Sequence, residues 1–136
     1  MKKILLWTDA AFCLGIAVIA LFLRPPTLYW RVGLLLTALT FPVWVLARVQ
    51  LGSAFSFGAE ARQLVTHGLY ARFRHPIYLF GSIAYFGAFL ALQIWAVLAV
   101  WLALTPIEWV RLRREKRALR ARFGETYDRY CASTWL

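Results

Sequence analysis

The sequence is poor in acid: its 136 residues hold six Asp and Glu against 16 Lys and Arg. Cysteine is almost as scarce, and Cys13 and Cys131 alone make no disulfide framework. Cys13 falls in an apolar run and Cys131 in a basic tail, too far from the C-terminus for a prenylation box. With only two histidines there is no spaced Cys/His/acid set for a metal, and neither a glycine-rich phosphate loop nor a nucleophile–base triad is present. Internal repeats and low-complexity tracts are missing too. The first apolar run is longer than a signal-peptide core, and Arg24-Pro25-Pro26 follows it without a small-x-small cleavage site, so it is expected to stay in the protein.

What the chain has is hydrophobic length. Ala, Val, Ile, Leu, Met, Phe, Trp, Tyr and Cys make up 62% of it, far above an ordinary soluble domain. Ile4 to Leu23 contains Thr8 and Asp9 as its clearly polar members, and at about 1.5 Å per residue it covers roughly 30 Å, one bilayer core. Leu28 to Ala47 reads as a second span, with Tyr29 and Trp30 at the interface and Pro42 as a kink. Ile77 to Val110 is too long for one crossing and suits a tight hairpin turning near Gln93. The expectation is a single all-α integral-membrane domain, 1–136. Its four transmembrane helices are placed at 4–23, 28–47, 77–92 and 94–110, with a cytoplasmic loop 49–75 and a tail 111–136 that extends helix 4 and helps form a pocket.

Charge orients those spans. Lys2 and Lys3 precede the first, only Arg24 and Arg31 lie in the first loop, four cations fall between Arg48 and Arg74, and eight follow Val110. Both termini and the middle loop are therefore expected on the cytoplasmic side of a multi-pass protein. Basic residues flanking spans contact anionic lipid headgroups, so the charge does not point to nucleic acid. Loop 49–75 contains Gly52, Ser53, Ser56, Gly58 and Gly68 and carries Phe55, Phe57, Tyr70 and Phe73, which suggests that it lies against the membrane surface. Gly124 is placed to end the fourth helix after Phe123, and Tyr127, Tyr130 and Trp135 give the tail an apolar side able to fold back on the loop.

Two polar clusters bracket the apolar hairpin. The first is His67-Gly68-x-Tyr70-x-x-x-Arg74-His75-Pro76-x-Tyr78. The second is Arg111-Leu112-x-x-Glu115, then Leu119, Phe123-Gly124, Tyr127 and Tyr130. Together, in this order and separation over roughly residues 60 to 131, they resemble the isoprenylcysteine carboxyl methyltransferase family. That family belongs with the phospholipid methyltransferases to a wider group of integral-membrane methyltransferases. Lys116 stands where the family commonly has a second glutamate, and Phe80 where it commonly has glycine.

The resemblance implies S-adenosyl-L-methionine bound in a cytoplasm-facing pocket and a lipophilic small-molecule, lipid or prenylated acceptor entering from the bilayer. Carried over by position, His67, Gly68, Tyr70, Arg74, His75, Pro76, Tyr78, Glu115 and Tyr127 are the expected cofactor-binding residues and Arg111 and Glu115 the expected catalytic ones, with Glu108 added on its helix-face relation to Glu115. The residue types fit that chemistry. Tyrosine faces stabilise a sulfonium, an arginine suits a carboxylate, a glutamate accepts from hydroxyl and amino groups, and histidine donates hydrogen bonds or moves a proton near neutral pH. Pro76 would open helix 3 at its first turn, with the positive end of that helix facing the site. Glu108 lies seven residues before Glu115, on nearly the same helix face.

Two other classes stay open on residues alone. Asp9 inside the first span makes a small four-helix multidrug-type exporter a rival, with Asp9 as its coupling carboxylate. A non-catalytic membrane scaffold is the other.

Overall fold

The computed structural model describes residues 2–51 and 66–135, with side chains from Trp7 onward. Phe55 and Phe57, with Gly52, Ser53, Ser56 and Gly58, lie outside the described residues. All regular structure among the described residues is helical: α1 (Lys2–Leu23), α2 (Leu28–Leu51), a 3₁₀ turn (Gly68–Ala71), α3 (Pro76–Leu92), α4 (Trp95–Phe123) and α5 (Glu125–Ser133). α2 and α4 are each long and apolar enough to cross a membrane, whereas the described apolar part of α1 (Trp7–Leu23) and α3 are shorter. The chain divides into two compact units, one of Met1–Val45 with Leu79–Leu102, the other of Leu46–Tyr78 with Ala103–Leu136.

The first unit packs small side chains inward and large apolar ones outward. Ala10, Cys13, Ala17 and Ala20 of α1 and Ala84, Ala88 and Ala91 of α3 are buried, while Phe12, Phe22, Leu23, Leu35, Leu39 and Val100 are exposed. That inversion suits helices surrounded by hydrocarbon, where burying apolar side chains gains little and close backbone approach supplies the attraction. The tightest approach is between α2 and α3. A Cβ on Gly33 would lie 2.5 Å from the Ala91 nitrogen and the Gly87 oxygen, and one on Gly87 would lie 2.6 Å from the Gly33 oxygen. Beside this crossing the Thr37 hydroxyl lies 3.0 Å from the Gly33 carbonyl and 3.1 Å from the Ala84 carbonyl, which lets a buried polar group sit there without a desolvation penalty.

Turns at one end of this unit are held by side chains. Thr27 Oγ1 accepts the Trp30 amide at 3.3 Å, an N-cap for α2, and Trp30 Nε1 donates to the Ala20 carbonyl at 2.8 Å. The chain reverses between α3 and α4 at Gln93, whose φ of 58 is uncommon for a residue with a Cβ. Its side-chain amide donates to the Pro25 carbonyl at 3.2 Å, and Tyr29 meets Trp95 edge to face at 5.2 Å. Asp9, the acid in the first apolar run, is half-buried; its carboxylate accepts the Ala10 amide and its backbone carbonyl accepts the Tyr85 hydroxyl at 2.7 Å.

The second unit is the end of α2, the 3₁₀ turn, the first residues of α3, the lower part of α4, and α5. Gly124, with φ 51, ends α4 and starts α5 without a connecting loop, as a residue free of a Cβ allows. A single parallel bridge pairs Phe73 with Trp135, the Trp135 amide donating to the Arg72 carbonyl at 2.7 Å. Tyr127 and Tyr130 turn inward while the Trp135 side chain stays exposed, so two of the three tail aromatics make the apolar side.

The α2–α3 crossing generates a paired prediction. Gly87→Ala should destabilise the detergent-solubilised protein by on the order of 2 kcal/mol, because backbone must move to admit the methyl. Gly15→Ala, whose Cβ meets nothing within 4 Å, should be neutral or stabilising by up to about 1 kcal/mol. Thermal unfolding of both variants beside the wild type checks the pair.

Candidate functional site

The site is built from the strand-like approach to α3. His75 cannot start the helix early, because the residue before a proline is pushed out of the α region. Pro76 is fully buried and takes the first position of α3, where its missing N–H has no helical partner to lose. His75 thus stands immediately before the helix, its ring edge-on to Tyr78 at 6.3 Å.

Arg74 fastens this approach to the tail. Its Nε donates to Thr134 Oγ1 at 3.1 Å and its Nη2 to the carbonyls of Cys131 at 2.8 Å and Thr134 at 3.3 Å. The Tyr130 hydroxyl donates to the Tyr70 carbonyl at 2.7 Å, and the Thr134 hydroxyl returns to the Tyr130 carbonyl at 2.9 Å. Arg74, expected from the sequence to face a cofactor carboxylate, thus directs Nε and Nη2 to α5. On the other side Gln50, at the end of α2, accepts the Leu69 amide on its Oε1 at 2.7 Å. Gly68 lies over that side chain with φ 62, and a Cβ there would fall 2.4 Å from Gln50 Oε1.

Four expected residues come together on α3 and α4. The Tyr78 hydroxyl donates to the Glu115 carboxylate, with Arg111 one turn away and His75 against the Tyr78 ring. Burial pushes the Glu115 carboxyl above its usual range, opposed by the Tyr78 bond and by Arg111. His75 moves the other way: burial, then the Lys116 ammonium, then Arg74 bring its imidazole down to about 4, so it is neutral at physiological pH. Its Nε2 is buried and has no hydrogen-bond partner among the described residues. Tyr70 is buried at the same cluster, and burial with the nearby Glu115 charge raises its hydroxyl. Tyr127, 4% exposed, is hydrogen-bonded to Cys131 and lies within electrostatic reach of Arg74 and Glu115.

The other expected residues stand apart. His67 is exposed and caps the 3₁₀ turn by position, without a side-chain bond. Glu108 is exposed on α4 and acts electrostatically on Tyr78. Sequence reasoning passed over Arg48, Gln50, Cys131 and Thr134. Arg48 is 3% exposed and acts electrostatically on Tyr70. A signal for it existed: Gly33, Thr37, Trp44 and Arg48 follow helical spacing down one buried stripe of α2, so Arg48 continues the inward face rather than flanking the span.

Two helices long and apolar enough to cross a membrane thus accompany a partly dehydrated cluster of imidazole, phenol, guanidinium and carboxylate groups. The family model for phospholipid methyltransferase matches residues 28–126. The chain belongs to that family of integral-membrane methyltransferases. No curated protein and no solved structure matched the chain. The matched range takes in His75, Tyr78, Arg111 and Glu115 and stops before Tyr127, Tyr130, Cys131 and Thr134, so most of the α5 clamp lies beyond it.

The state of His75 generates a pH prediction. The unfolded chain takes up a proton on this histidine near its ordinary value of 6.5, whereas the folded protein does so only near 4. Native stability supplied by the neutral imidazole is complete above that window and falls as pH drops through it, by at most about 3 kcal/mol. Chemical unfolding from neutral pH down to about 4 should show this slope, and His75→Gln should flatten it. Glu115, whose raised carboxyl acts with opposite sign, is common to both proteins.

Proposed function

We propose that the protein is an S-adenosyl-L-methionine-dependent integral-membrane methyltransferase acting on a lipophilic or amphiphilic acceptor, a lipid or a prenylated molecule, at the cytoplasmic face. The observation that carries this reading is the buried, unpartnered Nε2 of His75 beside the Tyr78–Glu115–Arg111 cluster. A buried polar nitrogen without a partner is costly, and a ligand that supplies one removes the cost. The cofactor suits the donor set here. Its sulfonium matches the phenol rings of Tyr70, Tyr78 and Tyr127, its hydroxyl and amino groups match Glu115 and the His75 nitrogen, and its carboxylate matches a guanidinium such as Arg111.

Bound there, the cofactor would supply an electrophilic methyl group for a lone pair of the acceptor, with sulfur as the leaving atom. The chain's own residues divide the remaining work. His75, neutral at physiological pH, binds and orients rather than carrying a proton. Glu115 is the better proton acceptor, since its raised carboxyl titrates closer to neutrality, where transfer is most effective. Tyr78 and Arg111 hold that carboxylate in place, and alignment of the reacting atoms is the main demand of an in-line transfer. Arg74, Tyr130 and Thr134 keep α5 over the approach to α3 and so position Tyr127.

In the membrane we read α1, α2, α3 and the apolar part of α4 as four crossings, the two shorter ones accommodated by local thinning of the bilayer. The distribution of basic residues supports both termini and the segment between α2 and α3 on the cytoplasmic side.

Calorimetric titration of detergent-purified protein with S-adenosylhomocysteine tests the reading. Wild type should bind saturably, and His75→Ala and Glu115→Gln should each weaken binding at least about tenfold, roughly the 1.4 kcal/mol of one lost buried hydrogen bond. Absence of saturable binding in folded wild-type protein would sink the assignment.

A further inference from the structure

Trp135 is the tail aromatic that stays outside the site. Its backbone is committed on both sides: its amide donates to the Arg72 carbonyl at 2.7 Å, and its carbonyl accepts the Arg74 amide at 3.4 Å. Thr134 before it is extended, with φ −115 and ψ 151, and successive side chains of extended backbone point to opposite sides. Thr134 turns inward, 7% exposed, its hydroxyl accepting the Arg74 Nε. Trp135 therefore turns outward, and its indole is 79% exposed. It is a large apolar surface with one polar N–H, held in a place that the backbone fixes.

That place is close to where the chain enters α3. The partners of Trp135 lie two and four residues before Pro76, the first residue of the helix. Tyr78, in the first turn of α3, reaches Glu115 on α4, so the entry to α3 and the end of the apolar part of α4 stand side by side. α4 runs on from Val110 to Phe123, about 20 Å, and α5 covers about 14 Å of the way back to Arg74. Trp109, the other exposed indole of this unit at 58%, marks the same level on α4, with the Arg113 guanidinium 5.5 Å from its ring centre. An indole beside a cation at the end of an apolar helix suits a headgroup boundary. Charge agrees. The two acids of α5, Glu125 and Asp128, lie at its start, away from Trp135, and pair with Arg129 and Arg120, whereas Arg72, bonded to Trp135 through the backbone, is exposed and basic. We propose that Trp135 is an interfacial anchor that seats the end of the tail in the headgroup layer of a phospholipid bilayer, so that the wall carried by α5 is tied to the lipid surface as well as to Arg74. The indole supplies an apolar body for the glycerol region and an N–H for headgroup oxygens, and Arg72 supplies a charge for phosphate. The partner is the lipid surface itself, not a methyl acceptor. This rests on the reading of α3 and α4 as crossings.

The test uses the full chain in vesicles of phosphatidylcholine and phosphatidylglycerol, four to one, made with ordinary phosphatidylcholine or with phosphatidylcholine brominated on its chains near the glycerol. Bromine quenches indoles that reach the lipid. The Trp135 share of the emission is the difference between wild type and Trp135→Phe, which keeps both backbone bonds; Trp135→Tyr gives the same difference independently, and Trp109→Phe gives the share of an indole on a crossing helix. The Trp135 share should lose at least about half its intensity in brominated vesicles and little to acrylamide in the water. An unquenched Trp135 share beside a quenched Trp109 share overturns the anchor and leaves the crossing standing. Protection from both bromine and acrylamide also overturns it, because the indole is then covered by protein, such as a second copy of the chain. An unquenched Trp109 share overturns the reading of α4 as a crossing, and the anchor with it.

Discussion

The guanidinium of Arg74 is the constraint on which the second unit depends. Its bonds to Thr134 and Cys131 join the approach to α3 to α5, two segments about sixty positions apart in sequence. That clamp acts together with the Tyr130 hydroxyl on the Tyr70 carbonyl and the Phe73–Trp135 bridge in tying the tail to the residues before Pro76. Each bond of this kind stabilises by about 1 kcal/mol, somewhat more when the donor is charged. Shared across one rigid planar fork, they fix orientation as well as distance. The same residue type at the same place looked, in sequence, like a ligand for a carboxylate. In the structure it is a builder of the wall.

Beside that wall, one degree of burial drives two titrating groups in opposite directions. Dehydration disfavours whichever form carries charge, so the Glu115 carboxyl rises and the His75 imidazole falls. Lys116 and Arg74 push His75 further the same way, while Tyr78 and Arg111 hold Glu115 back. The cluster thus keeps an uncharged imidazole and a carboxyl of raised affinity for protons within one small region. The chain belongs to a methyltransferase family, and the roles proposed above, orienting for His75 and proton acceptance for Glu115, follow these two opposite shifts.

Much of the helix order was legible because apolar length is a strong signal. The run from Ile77 to Val110 was too long for one crossing and its single polar residue near the middle, Gln93, marks the reversal. Gly124 ends α4 because a residue without a Cβ accepts the left-handed backbone there. The two motif clusters converge on the Tyr78–Glu115 contact, which spacing alone could suggest but not place. Arg48 and Gln50 were missed because both looked like the polar edge of a span; only the stripe of buried positions along α2 distinguishes an inward arginine from a headgroup one. Thr134 and Cys131 carried no signal, since they contribute a hydroxyl and backbone carbonyls whose partner is set by the fold of the tail.

The separation between the halves of the clamp has a consequence for how the protein is made. α5 follows every apolar helix in chain order, so residues 66–78 leave the ribosome well before Thr134 exists. At about 5–20 residues per second, the sixty positions between them correspond to roughly 3–12 s. During that interval the approach to α3 carries a buried-type arginine and an unpaired strand edge with nothing to receive them. Insertion of the apolar helices and completion of the polar site are thus successive events in biogenesis, and the second waits on the arrival of nine helical residues from Glu125 to Ser133.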